Sequence, residues 1–297
     1  MSINPILITG ADHCGTTWIG KILSLAHELG YIHEPFNPKL KWGTNWLDTK
    51  CWYRYYSPSE VGPASEYQRT LSWEYNFKKA VEKLESPKDV LHMSKDMLYT
   101  YKNNVCQSRA VVKDPIAVLS VPWLIKNFDM NVVVIVRHPA GFVSSRVSKN
   151  LFFPFDDLLS QRKLVNEKLI DFKEEIKKQV EKPSSVIGQS SLLWRIIYSF
   201  VNKYISESDS IIVRYEDICI NPVVEFKALY QRLNLKWSDK ISKYVQKYSS
   251  GNNAARISKD SRKHAFIFRK RLTSDQIERI KRETVDIWPL FYTSEDW

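Results

Sequence analysis

Ile8-Thr9-Gly10-Ala11-Asp12-His13-Cys14-Gly15-Thr16-Thr17-Trp18 is the stretch on which the fold turns. An apolar run, residues 6–9, ends at a glycine, and a short polar turn reaches a second glycine. Two threonines then open a segment in which Trp18, Ile22, Leu25 and Leu29 recur at helical spacing. A buried strand, a tight turn and a helix over residues 17–29 are therefore expected. The N–H groups of such a turn, with the positive end of the helix dipole, form a cradle for an anion, and the hydroxyls of Thr16 and Thr17 add donors. A nucleoside triphosphatase would carry a lysine after the second glycine and then a hydroxyl to hold Mg²⁺. Here Thr16 follows Gly15 directly, which leaves a phosphate cradle that needs no metal.

Outward from this turn, apolar runs at residues 109–112, 131–136 and 210–213 read as further buried parallel strands. A polar break and a plausible helix follow the runs, one helix beginning at Pro139 and continuing through Val147. The rhythm is that of an α/β protein: a P-loop-like, three-layer α/β/α fold around a central, mostly parallel sheet. Residues 163–181 are charged and helical in pattern, and read as one solvated helix or lid near the acceptor. Between residues 39 and 104 the chain is rich in Trp, Tyr, Pro and Ser, and only residues 72–84 look helical. One domain spanning 1–297 is expected, with acceptor-side insertions at about 39–104 and 151–189.

The 297 residues, 43% of them hydrophobic, suffice for a sizeable core. Aromatic residues make up 13%, most of them expected in that core and the rest free to line a cleft that stacks a base or a sugar. A formal charge of +11 implies anionic partners. No zinc-finger, RRM or basic-zipper pattern accompanies it, so dedicated nucleic-acid recognition is not expected. Cys14, Cys51, Cys106 and Cys219 lie far apart with no C-x-x-C pair, which suggests neither a zinc site nor a disulfide framework and suits a reducing, cytoplasmic compartment. The N-terminal residues show no secretory pattern, and no run approaches eighteen apolar residues, so no membrane span is read.

A second anion site is read at Arg137-His138-Pro139, with Ser145 eight positions after the arginine. An arginine at a strand end and a serine in the next helix converge on one phosphate, in the crevice where open α/β sheets bind ligands. Together the two sites resemble the family of sulfotransferases that use 3′-phosphoadenosine 5′-phosphosulfate (PAPS). In that family a loop close to S-G-T-T-W holds the 5′-phosphosulfate, and R-x-P-x(5)-S holds the 3′-phosphate. The matching residues here are Cys14, Gly15, Thr16, Thr17 and Trp18, then Arg137 and Ser145. Downstream, Val213-Arg214-Tyr215-Glu216-Asp217-Ile218 with Asn221-Pro222 resembles R-Y-E-D-L and N-P, where the acidic pair is architectural. Arg269-Lys270-Arg271-Leu272 resembles W-R-x-x-L with Phe268 at the Trp position, which makes Arg262, Lys263 and Arg269 candidates to cover the nucleotide.

The resemblance implies direct sulfuryl transfer to an acceptor hydroxyl or amine, with 3′-phosphoadenosine 5′-phosphate as product and no metal. The leaving oxygen needs a cationic or N–H donor and the acceptor needs a base. The family's loop lysine or arginine falls on His13 here, with Lys113 a possible replacement. Glu34, in Tyr31-Ile32-His33-Glu34-Pro35-Phe36-Asn37, is the expected base, its pKa raised toward neutrality beside Phe36. Asp114, in Lys113-Asp114-Pro115, is the alternate base, and His33 and His92 are possible assistants. Aromatic content and positive charge favour a carbohydrate or glycoconjugate acceptor over a small phenol. Two rivals stand beside this reading: a nucleotide-dependent kinase of related fold, and a non-catalytic nucleotide-binding protein.

Overall fold

The computed structural model describes residues 4–40, 43–82, 84–250 and 260–297. Its sheet has five strands, β1 (Ile6–Gly10), β2 (Leu29–His33), β3 (Arg109–Lys113), β4 (Asn131–Val136) and β5 (Ile211–Arg214), in the order β2-β3-β1-β4-β5. Every pairing is parallel. Helices cover both faces, so β1 is buried throughout and β4 from Val132 onward, which explains why both read as unbroken apolar runs. The chain leaves β1 toward β2 and leaves β4 toward β5, in opposite directions along the sheet. That divergence opens a crevice at the carboxyl ends of β1 and β4.

One helix, Val186–Tyr204, locks the two sides of the crevice together. Trp194 Nε1 donates to the Arg137 carbonyl at 2.9 Å, and the Tyr198 hydroxyl donates to the Ile135 carbonyl at 2.9 Å. The same hydroxyl receives the Ala11 N–H at 3.4 Å, so the turn after β1 and the end of β4 share one anchor. Gly10 makes this approach possible: its φ is +142°, and a Cβ there would stand 2.4 Å from the Ile135 carbonyl oxygen.

Three elements differ from expectation. The first helix is Thr16–Leu23, not 17–29, and Leu29 opens β2. Tyr230, more than two hundred residues downstream, donates its hydroxyl to the Ile22 and Leu23 carbonyls at 2.7 and 3.2 Å, capping the helix where another turn would have continued. The charged segment 163–181 is broken into Arg162–Glu167, the turn Ile170–Phe172 and Lys173–Glu181, with Leu169 and Phe172 buried at the break. Between residues 39 and 104 the helices are Ala64–Leu71, Phe77–Val81 and the long Pro87–Val105, in place of one helix over 72–84. This region also feeds the core: Tyr56 and Tyr67 pack with Phe36 and Trp123, ring centroids 5.0 to 5.9 Å apart for Tyr56–Trp123, Phe36–Tyr56 and Phe36–Tyr67. Each such pair contributes about 0.5–1.5 kcal/mol beyond its buried area.

Candidate active site

A cleft of about 860 Å³ opens over the carboxyl ends of the strands. Its floor is the turn between β1 and the helix Thr16–Leu23. Gly15 caps that helix at φ +87°, and a Cβ there would meet the Tyr215 ring at 2.3 Å. No side chain caps the helix, and first-turn N–H groups have no partner within a helix, so those of Thr16 and Thr17 are open to an anion. Thr16, Thr17 and Trp18 line the cleft.

The turn is held from several sides. Arg146, itself buried, pairs with Asp12 and also donates to Ser190 Oγ at 3.2 Å. The Tyr53 hydroxyl donates to Asp12 Oδ1 at 3.2 Å and accepts the Asp12 N–H at 3.1 Å. Cys14 points into the core against the Tyr198 hydroxyl at 3.2 Å, where burial pushes its thiol up to about 12, so its side chain is no part of the cleft.

Arg137 directly follows β4 and is 2% exposed. Its Nη1 donates to the His13 carbonyl at 2.6 Å, while its guanidinium lies 4.8 Å from the Tyr215 ring centre. Nε and Nη2 are buried with no hydrogen-bond partner, although the residue lines the cleft. Two orphaned donors on a buried cation are a costly arrangement unless an anion completes it. Ser145, two turns into the helix Pro139–Val147, lines the same wall.

At the other end, Lys113 at the end of β3 forms an ion pair with Glu34, just past β2. Lys113 is 3% exposed, and both residues line the cleft. Burial alone would raise the Glu34 carboxyl, but the Lys113 charge and hydrogen bond, with the Asn37 amide at 2.7 Å, hold it below its ordinary value. The expected rise toward neutrality is thus reversed. Phe36 turns into the aromatic core, leaving Glu34 beside a cation instead of a ring. His33 also lines the cleft, and burial and Lys113 lower its pKa. Asp114 points the opposite way: fully buried, it accepts the Phe36 N–H at 2.6 Å and the Ile116 N–H at 3.2 Å, and burial raises it to about 8. It does not line the cleft. His92 borders a separate, smaller cavity with Asp96.

His13 sits in the left-handed region at φ +58° and lines the cleft. Burial lowers its pKa, with the neighbouring cations Lys149, Arg146 and Arg137 adding to that and Asp12 opposing. A neutral ring accepts well, and Lys149 Nζ lies 3.3 Å from its Nδ1. Lys149 is among the site residues that the sequence reading missed, as are Lys21, Trp52, Tyr215, His264 and Arg271. Arg262, Lys263 and Arg269 do not line the cleft. Arg262 donates to the Ile220 carbonyl at 3.0 Å, Lys263 pairs with Asp260 at 2.9 Å, and Arg269 bonds the carbonyl oxygens of Asp296 and Trp297. From 39–104 the cleft takes Trp52, and from 151–189 none of the described residues.

Among the described residues five cations line the cleft, Lys21, Lys113, Lys149, Arg137 and Arg271, against two carboxylates, Asp12 and Glu34, both already paired. The local field is therefore strongly positive and suits a polyanion. Among the described residues no group of three or more His, Cys, Asp or Glu side chains is placed to hold a metal ion, and no helix is long and apolar enough to cross a membrane.

The model of the sulfotransferase family matches residues 5–239. No curated protein matches the chain. Among solved structures it is similar to a sulfotransferase domain from the curacin biosynthetic pathway, at 15% identity over 98% of each chain and a TM-score of 0.43. It is also similar to mouse sulfotransferase SULT7A1 complexed with PAP, at 14% identity over 98% of this chain and 85% of that one, TM-score 0.44. A third is sulfotransferase STF1 from Mycobacterium tuberculosis H37Rv, at 14% identity over 95% of this chain and 76% of that one, TM-score 0.43.

Proposed function

The chain belongs to the sulfotransferase family, and we propose that this enzyme takes the sulfuryl group of PAPS and places it on an acceptor hydroxyl, or an amine, of a carbohydrate or glycoconjugate. The observation that carries the choice of donor is Arg137, a buried guanidinium whose Nε and Nη2 lack partners at the cleft wall. A phosphate there, beside the cradle at Gly15, matches a nucleotide that carries anions on both its 5′ and 3′ sides. The sheet order lays out the chemistry in a line. Glu34 and Lys113 stand at β2 and β3, the cradle stands over β1, and Arg137 stands at β4.

In this scheme the N–H groups of Cys14 to Thr17 and the hydroxyls of Thr16 and Thr17 hold the phosphosulfate end, with Trp18 as wall, and Arg137 and Ser145 hold the 3′-phosphate. PAPS supplies an activated sulfuryl group and a leaving phosphate. The charge that develops on the leaving oxygen is met by Lys113 and by Lys149, which reaches the loop at His13 and supplies the cation that this loop lacks. Glu34 enters ionised because Lys113 depresses its pKa, and accepts the acceptor proton. We read residues 1–297 as one domain, with 39–104 contributing Trp52 toward the acceptor. Trp52 and Tyr31, with the breadth of the cleft, support a sugar acceptor that stacks on aromatic faces.

Titration calorimetry with 3′-phosphoadenosine 5′-phosphate and with ATP, each with and without Mg²⁺, tests the donor. Tighter, Mg²⁺-independent binding of the bisphosphate is expected, and Mg²⁺-dependent preference for ATP would overturn the reading in favour of a kinase. Transfer from labelled PAPS to a panel of oligosaccharides tests the acceptor. Labelling confined to small phenols would overturn that half.

A further inference from the structure

Exposed apolar side chains are concentrated in one part of the molecule. Of fifteen large hydrophobic residues exposed among those described, eight lie between Phe77 and Val105. Most of them belong to the 19-residue helix Pro87–Val105, which spans about 28 Å at 1.5 Å per residue. Leu91, Leu98, Tyr101 and Val105 are 58%, 62%, 68% and 61% exposed, and their spacing of seven, three and four puts them on one stripe of that helix. A row of this kind on a globular surface marks something that covers it.

The charges on the same helix say what that something is. Lys88, Lys95 and Lys102 are exposed beside the apolar row, again seven residues apart. The acids of the helix are already engaged: Asp89 accepts from Ser86 Oγ at 2.8 Å and from the Glu85 N–H at 3.1 Å, at the start of the helix, and Asp96 takes backbone hydrogen bonds from Gly43 and Thr44. Glu82 and Glu85 are exposed but precede its first turn. The exposed residues of the helix are therefore mainly apolar groups and lysines, with His92 and Asn104 and no acid. A second copy of the helix fits this poorly. Antiparallel pairing sets lysine rows against each other, and parallel pairing sets them against Val90, Met97 and Asn104, without an acid in either alignment. An anionic lipid surface supplies both what the row and what the lysines lack.

We propose that the helix Pro87–Val105 docks this protein on an anionic bilayer, with Leu91, Leu98, Tyr101 and Val105 in the interface and Lys88, Lys95 and Lys102 among the headgroup phosphates. The helix is tied to the cleft as well, since the Tyr99 hydroxyl accepts the Tyr31 N–H at 2.8 Å and Tyr31 lines the cleft beside Glu34. Docking thus sets the β2 end of the cleft close to the lipid surface. The inference stands on this helix alone, whatever donor or acceptor the cleft takes.

Co-sedimentation of the whole chain with vesicles of phosphatidylcholine alone, and of phosphatidylcholine mixed with phosphatidylglycerol, tests it. The wild type should bind the anionic vesicles and lose them as salt is raised. The pairs Leu98→Asp/Tyr101→Asp and Lys95→Glu/Lys102→Glu should each weaken binding about tenfold or more, with circular dichroism and soluble-acceptor activity unchanged. Equal partition of wild type and variants, or a wild type indifferent to phosphatidylglycerol, overturns the proposal. So does a lipid-free dimer in analytical ultracentrifugation that the same substitutions disperse while vesicle binding is absent, since the stripe would then belong to a second copy.

Discussion

Arg137 carries two buried donors with no protein partner, which a phosphate in the cleft would satisfy, so its removal should be selective. Arg137→Ala is expected to weaken 3′-phosphoadenosine 5′-phosphate about 100-fold, from two charge-assisted hydrogen bonds at roughly 1.5 kcal/mol each. Adenosine 5′-phosphate should be nearly unaffected, and equal loss in calorimetry for both ligands would remove the assigned role. Glu34→Gln should lower kcat about 10²–10⁴-fold with little change in donor KM. The pH profile offers a second handle. Because Lys113 holds Glu34 below its ordinary 4.5, the acid limb of kcat belongs below that pH. Lys113→Met leaves burial unopposed by that cation, so the limb of the residual activity should move to higher pH. A limb that stays put would separate Glu34 from the proton transfer. His13, expected from its position in the loop to act as a cation, is held toward its neutral form by burial, and the positive charge arrives from Lys149 on another segment.

Among the elements, β1 and its turn depend on a close approach to β4. Gly10→Ala would place a Cβ 2.4 Å from the Ile135 carbonyl at a φ of +142°, so β1 must shift from β4. A destabilisation of roughly 1–3 kcal/mol is expected, together with weaker nucleotide binding, because the cradle begins at that residue. Unchanged denaturant midpoint and affinity would show that the strands yield more easily than the geometry implies. Four strands were legible as apolar runs: β1, β3 and β4 because both of their faces are covered, and the edge strand β5, only partly buried after Ile211, from its run of Ile211, Ile212 and Val213. β2 was not among the strands read, and its first residue, Leu29, was assigned to the preceding helix because Leu25 and Leu29 keep helical spacing, while Tyr230, which caps that helix, is remote in sequence. The helix Pro87–Val105 was missed for another reason. Its buried residues, Thr100 and Asn103, are polar and most of its large apolar residues face outward, so the usual pattern of an apolar core-facing side is inverted.

Across the whole molecule, two buried titratable groups set opposing limits on stability with pH. Burial, with Glu34 nearby, raises Asp114 from 3.8 to about 8, so between those values the folded state keeps a proton that the unfolded state has lost, and stability falls as pH rises. His138, stacked on Phe268 at 4.8 Å and enclosed by Tyr292 and Trp297, is lowered by burial from 6.5 to about 3. Between those values the unfolded state binds the extra proton, so stability falls as pH drops. The two slopes, each at most about 1.4 kcal/mol per pH unit, oppose one another between about pH 4 and 6.5, and Asp114 acts alone from there to about 8. Denaturation followed from about pH 4 to pH 9 should show the alkaline decline, and Asp114→Asn should flatten it. An unaltered slope in that variant would assign the decline to other groups.

The sequence by itself determined the features that are local along the chain. The strand-turn-helix with its two glycines, the Arg137 to Ser145 segment and the parallel α/β rhythm each follow from residues a few positions apart. Tertiary structure decided which charges meet. Lys113 and Glu34 are 79 residues apart, and Lys149 reaches His13 across 136, pairs that exist because β3 lies beside β2 and β4 beside β1. It also decided which cations of the C-terminal segment face the cleft: Arg271 does, while Arg262, Lys263 and Arg269 are turned to backbone carbonyls or an acid. In a short helix a rotation of one residue, about 100°, moves a side chain from the cleft to the surface, and that rotation is set by packing against distant segments.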